Sequence, residues 1–197
     1  VETVVTALKG LAGGGYGVSD VDAEAAASQD PLSRFRIGLG PPDELRASAL
    51  EAWARLVGGH GLETDDLRRE IEAGFRSASA ERLRGALRAL SSVPSIQAPV
   101  ALEPFLGEEE IAVRIAGIEA ISARQALDDL DSLPELLSDP AVSVRLTVLG
   151  RTRVDGPAPS PALLRRLEED EDGYVRGMAT MARREFDADA PDQSGGP

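Results

Sequence analysis

The residue types that do chemistry are scarce in this chain of 197 residues. It has no cysteine, one histidine and one lysine. Without cysteine there is no thiolate nucleophile, no disulfide and no Cys-ligated zinc, and a lone His60 cannot build a multi-histidine metal centre. His60 sits in Gly58-Gly59-His60-Gly61, which reads as a flexible connection where a general base would lack a packed neighbour to orient it. Gly13-Gly14-Gly15-Tyr16-Gly17 has the glycine density of a phosphate cradle. No Lys-Ser or Lys-Thr follows it, and Val18 stands where a third spaced glycine is required, so it reads as a linker. No cofactor and no metal is expected, and the chain is read as non-enzymatic.

Acidic residues outnumber basic ones by 34 to 21, for a formal charge of −13, and apart from Lys9 the basic side chains are arginines. Such a field repels phosphate backbones, which argues against nucleic acid as a partner. Runs such as Glu108-Glu109-Glu110, Asp128-Asp129-Leu130-Asp131 and Glu168-Glu169-Asp170-Glu171-Asp172 fall near expected turns. There they favour helix N-termini and solubility; an edge that attracts a basic partner and weak cation binding are the other readings. No segment has the ligand spacing of a twelve-residue calcium loop. No apolar run approaches the ~18 to 20 residues of a bilayer span, and no basic start followed by an apolar run marks a signal peptide, so a cytoplasmic location is expected.

The elements that would position any site emerge from an internal repeat. In Asp139-Pro140-Ala141-Val142-Ser143-Val144-Arg145 an aliphatic residue precedes arginine inside a helical pattern, and the same step recurs at Leu45-Arg46, Leu83-Arg84, Val113-Arg114 and Val175-Arg176. The last three arginines are 31 residues apart, which is the length of one helical hairpin. Four residues after each aliphatic anchor stand Ala49, Leu87, Gly117, Val148 and Ala179, mostly small, on the same helix face. Partner helices are expected over Leu67 to Phe75, Val100 to Leu106, Leu130 to Leu137 and Pro161 to Leu167. Ser138-Asp139-Pro140 offers a helix start, and no segment alternates with period two, so no sheet is expected.

The Asp-Pro turn leading to a Val-Arg pair resembles the second helix of a HEAT repeat, and the resemblance covers roughly Leu32 to Phe186. It implies an all-α fold: an α-solenoid of about five helical hairpins, a HEAT-like superhelix of the armadillo type. Residues 31–186 would form the array and residues 1–30 an N-terminal capping helix or truncated repeat with a Gly-rich linker. Within residues 1–30, Ser19 and Asp22 can start a second helix. Residues 187–197 read as a disordered tail. The resemblance also implies a ladder joining acid and arginine of neighbouring repeats, carried here by Arg114, Arg145 and Arg176 with Asp139 and Asp170, Glu108 taking the acidic position in the third repeat.

Enzymes on similar repeats leave marks that can be sought. Deoxyhypusine hydroxylases need several His-Glu pairs and alkylpurine glycosylases a basic, aromatic groove, neither of which this acidic chain with one histidine carries. Bilin lyases of similar repeat type leave no such mark. The favoured function is a protein–protein interaction scaffold or adaptor that presents a curved helical surface to a protein partner. The alternative is a regulatory or accessory subunit of an enzyme or nucleic-acid machine whose catalytic site is on another chain. Ala86, Ile115, Ala116, Leu146, Met178 and Met181 fall at comparable offsets and would line a partner-binding groove. Trp53, eight residues after Leu45 on the anchor face, reads as core.

Overall fold

The computed structural model describes residues 2–12, 42–60, 64–154 and 160–189, all of them helical or in turns and loops. Nine α-helices are present among these residues: α1 (Glu2–Ala12), α2 (Pro42–His60), α3 (Asp65–Phe75), α4 (Ala80–Ser92), α5 (Ile111–Ser122), α6 (Leu133–Leu136), α7 (Val142–Val154), α8 (Pro161–Glu168) and α9 (Gly173–Asp189). Two 3-10 helices, Glu103–Gly107 and Leu127–Asp129, precede α5 and α6 respectively. No helix among the described residues is long and apolar enough to cross a membrane. The chain divides into two compact units, residues 1–102 and 103–197.

In the first unit α2 packs chiefly against α4, with α1 laid on α2 and α3 against α4. Small residues set how closely these helices approach. A Cβ at Gly85 would come within 2.6 Å of the Ala47 Cα, and one at Gly74 within 2.7 Å of the Ala86 Cβ. The interior holds Trp53, Leu67, Ile71, Leu87 and Leu90, all buried; each contributes about 1.5–3 kcal/mol by leaving water. Ser79 starts α4 by accepting a hydrogen bond from the Arg82 N–H at 3.4 Å while its hydroxyl donates to Glu81 Oε2 at 2.7 Å. Thr64, ahead of α3, makes no such side-chain cap, and Asp65 and Asp66 supply the favourable negative charge in that first turn instead.

In the second unit α5 packs against the preceding 3-10 helix and α7, and α8 against α9, which also meets α7. The aliphatic anchors Val113, Val144 and Val175 are all buried. Ser160 accepts from the Leu163 N–H at 3.2 Å, with Pro161 at the first helical position, where a missing N–H costs nothing. Asp172 accepts from the N–H groups of Tyr174 and Val175 at 2.8 and 3.1 Å and so starts α9.

Four expectations are corrected. The partner helix over Val100 to Leu106 is absent; Pro99 and Pro104 supply no N–H, and the chain makes only the 3-10 turn Glu103–Gly107. The helix over Leu130 to Leu137 shrinks to the single turn Leu133–Leu136, with Pro134 as its second residue. Gly58-Gly59-His60 is the last turn of α2 rather than a loop, and its histidine is exposed. Asp187 to Asp189 belong to α9 rather than to the tail expected over 187–197, of which residues 190–197 lie outside the described residues. The helix at Ser19 to Ser28, the glycine linker and the partner segment Leu32 to Leu39 lie outside the described residues.

Candidate functional site

Two features of the second unit place side chains in a repeated pattern: an arginine–aspartate series on one flank of the anchor helices, and an apolar face on another. Each repeated arginine stands one residue after a buried valine, in the first turn of its helix. In all three copies Nη1 turns back to the chain entering the helix. Arg114 Nη1 donates to the carbonyls of Glu108 and Glu109 at 2.8 and 2.9 Å, Arg145 Nη1 to the Asp139 carbonyl at 2.6 Å, and Arg176 Nη1 to those of Asp170 and Glu171 at 2.7 and 2.9 Å.

The other edge of the guanidinium reaches forward. Arg114 donates from Nε and Nη2 to the two carboxylate oxygens of Asp139 at 2.8 and 2.9 Å, and Arg145 does the same to Asp170 at 2.8 Å for both. Both are bidentate forks, the strongest geometry open to this pair. Each aspartate is held from its own side as well: Oδ1 of Asp139 accepts the Ala141 N–H, and Oδ1 of Asp170 the Asp172 N–H, both at 2.8 Å. Arg145 is 3% exposed. Burial works to raise the Asp170 pKa, but the hydrogen bonds from Arg145 and the Asp172 N–H outweigh it and hold the carboxylate below the ordinary aspartate value. The Asp170 fork in turn raises the Arg145 pKa, against the desolvation that acts to lower it. Arg176 is exposed and receives no carboxylate in its fork among the described residues.

The apolar face is built from register. Ile115 on α5, Leu146 on α7 and Gly177 on α9 are 31 residues apart, and the first two are half-buried. On α9, Tyr174, Met178 and Met181 stand at i, i+4 and i+7, hence on one side of the helix. Tyr174 is 65% and Met181 52% exposed, with Met178 half-buried between them, and Ile111 on α5 is 45% exposed. Two residues expected in the groove are not available to it. Ala86 and Ala116 have 0% exposure; Ala86 is spent on the close approach to Gly74, and it belongs to the other unit. Tyr174 was not among the expected residues, although its spacing from Met178 and Met181 carried the signal.

Pattern reading also missed contacts between unlike elements. Arg151 on α7 donates to Glu119 Oε1 on α5 at 2.9 Å, one repeat apart. Lys9, the single lysine, pairs with Asp66 at 2.7 Å and lies 5.4 Å from the ring centroid of Trp53. Trp53 is 1% exposed, and its Nε1 has no hydrogen-bond acceptor among the described residues. No group of three or more metal-ligating side chains occurs among the described residues.

Set beside known proteins, the chain matches no family model, no curated protein and no solved structure.

Proposed function

We propose that the protein is a non-enzymatic interaction scaffold: a HEAT-like array of about five helical hairpins with α1 as its N-terminal cap, which holds a protein partner on the side where the second helices of the repeats are apolar. The observation that carries this reading is the stripe on α9 of the exposed Tyr174 and Met181 with the half-buried Met178 between them, in a chain of net charge −13. Monomeric proteins seldom leave contiguous large apolar side chains in water without a use for them. The flexible methionine thioethers adapt to differently shaped partners, and both methionine and tyrosine are enriched at such surfaces.

The 31-residue series of buried valine and forked arginine supports the repeat reading, since each copy hands a carboxylate to the copy before it. It also gives the face its stiffness, because a surface that is ordered beforehand loses less entropy on binding. The partner chemistry that fits is an apolar side of a helix or an extended apolar segment. Met181→Glu and Tyr174→Ser should abolish capture of the partner from the native source while leaving the helical circular-dichroism signal and melting temperature in place. Retained capture by both variants would refute the face as the binding surface, and unfolding of both would make it core.

A further inference from the structure

The turns that lead into the repeated helices enclose a cleft, and the cleft occurs twice. Leu106, Arg114 and Asp139 line the first, and Leu137, Arg145 and Asp170, each 31 residues later, line the second. Two positions differ between them in a way that bears on a ligand. Where the second cleft has Arg166 the first has Glu135, and where the second has Ser138 the first has Gly107. Arg166 bridges the walls of the second cleft, donating from Nη2 to Ser138 Oγ at 3.3 Å, and the volume there is about 320 Å³. The first cleft lacks this bridge, and its volume is about 710 Å³.

The walls of the open cleft are mostly apolar, from Leu106, Ile111, Leu136 and Pro140, and its rim is acidic. Asp139 neutralises Arg114 within it. Glu108, Glu109 and Glu135 are exposed, and their carboxylates make no ion pair among the described residues. Three carboxylates around an apolar slot match a cation with an aliphatic stem, which can bury the stem and leave its head among the charges. A guanidinium fits better than an ammonium because it is planar and more weakly hydrated. One already lies in the matching cleft, where the chain supplies it from Arg166.

We propose that the cleft between residues 106–111 and 135–141 binds an arginine side chain of a partner polypeptide, its stem against Ile111 and Pro140 and its guanidinium among Glu108, Glu109 and Glu135. Tyr174, Met178 and Met181 do not line this cleft, so the site is separate from the apolar face on α9 and stands without it.

The probe is the acetylated, amidated tetrapeptide Leu-Arg-Arg-Leu, the sequence of residues 164–167 that carries Arg166. The full chain, isotope-labelled for NMR, is titrated with this peptide and with a form in which citrulline replaces both arginines and removes their charge. The Gly107 amide and Ile111 methyl signals should shift saturably at millimolar peptide, and the citrulline form should bind at least about fivefold more weakly. Glu135→Arg, which supplies the cation from within as Arg166 does, should weaken binding by a similar factor. So should Glu108→Gln with Glu109→Gln, which leaves the carbonyls that hold Arg114 in place. Equal binding of both peptides, no shift at about 10 mM peptide, shifts centred on Met178 and Met181, or unchanged affinity in either folded variant would overturn the proposal. Saturation of the same signals by calcium chloride at lower concentration than by the peptide would make the cleft a metal-ion site and overturn it too.

Discussion

Arg145 and Asp170, 25 residues apart in the chain, meet through two parallel hydrogen bonds of 2.8 Å with side chains only 4% and 5% exposed. Removing one member strands the other in a site with little water. Arg145→Ala should destabilise the protein by ~2 to 4 kcal/mol, measured by denaturant unfolding. Arg176→Ala, which breaks only exposed contacts, should cost under about 1 kcal/mol. Equal losses would mean that the fork adds nothing to the helix-entry contacts the two arginines share.

Acid should dissolve the same pair. Because Asp170 ionises below its ordinary value of 3.8, its stabilising contribution is complete above that value and is lost as the pH falls from there through the lowered folded value. Asp170→Asn should therefore be less stable than the parent at neutral pH, and its stability should fall less steeply below about pH 4. Parallel pH profiles for the two proteins would contradict the assignment.

Glycines divide into those that permit helix contact and those that do not. A Cβ at Gly85 would meet the Ala47 Cα, Cβ and carbonyl oxygen at 2.6, 2.7 and 3.1 Å, whereas at Gly150 nothing lies within 4 Å. Gly85→Ala should cost about 1–3 kcal/mol by overpacking, and Gly150→Ala, inside α7, should stabilise by about 0.5–1 kcal/mol through helix propensity. Thermal melts of the two variants should move in opposite directions.

The patterns read most reliably were those with a strict period. The buried valines and the arginines that follow them come from the step of 31, whereas the pairing of Arg114 with Asp139 and of Arg145 with Asp170 is implied by the HEAT resemblance; the structure shows both pairs and gives Arg176 only backbone carbonyls among the described residues. The partner helices before α5 and α7 were misread because hydropathy registers apolar spacing and not the N–H groups lost at Pro99, Pro104 and Pro134. Ala86 and Ala116 were placed on the surface by their offset alone. Whether a small residue faces water or a neighbouring helix depends on how near that helix comes, and Gly74 sets that distance for Ala86. The Lys9–Trp53 contact joins helices far apart in the chain with no repeat to announce it.

A net charge of −13 should make the fold sensitive to ionic strength. Raising KCl from ~0.1 M to ~1 M shortens the Debye length from about 10 to about 3 Å, which screens the exposed acidic turns more than the buried forks. The melting temperature should rise, and rise less in a variant with the exposed Glu109 and Glu169 changed to glutamine. Glu168 is left in place because it pairs with Arg183. A falling melting temperature in KCl would show that attractive pairs outweigh the repulsion.

The scaffold reading is tested most directly by site-resolved photo-crosslinking in the native source, with the reactive residue placed in turn at positions 146, 178 and 181 and, as controls, at the exposed positions 165 and 184. One partner protein should be joined from the first three positions and not from the controls. Crosslinks of equal yield from all five positions, or none from Met178 and Met181, would contradict a partner held on the apolar face.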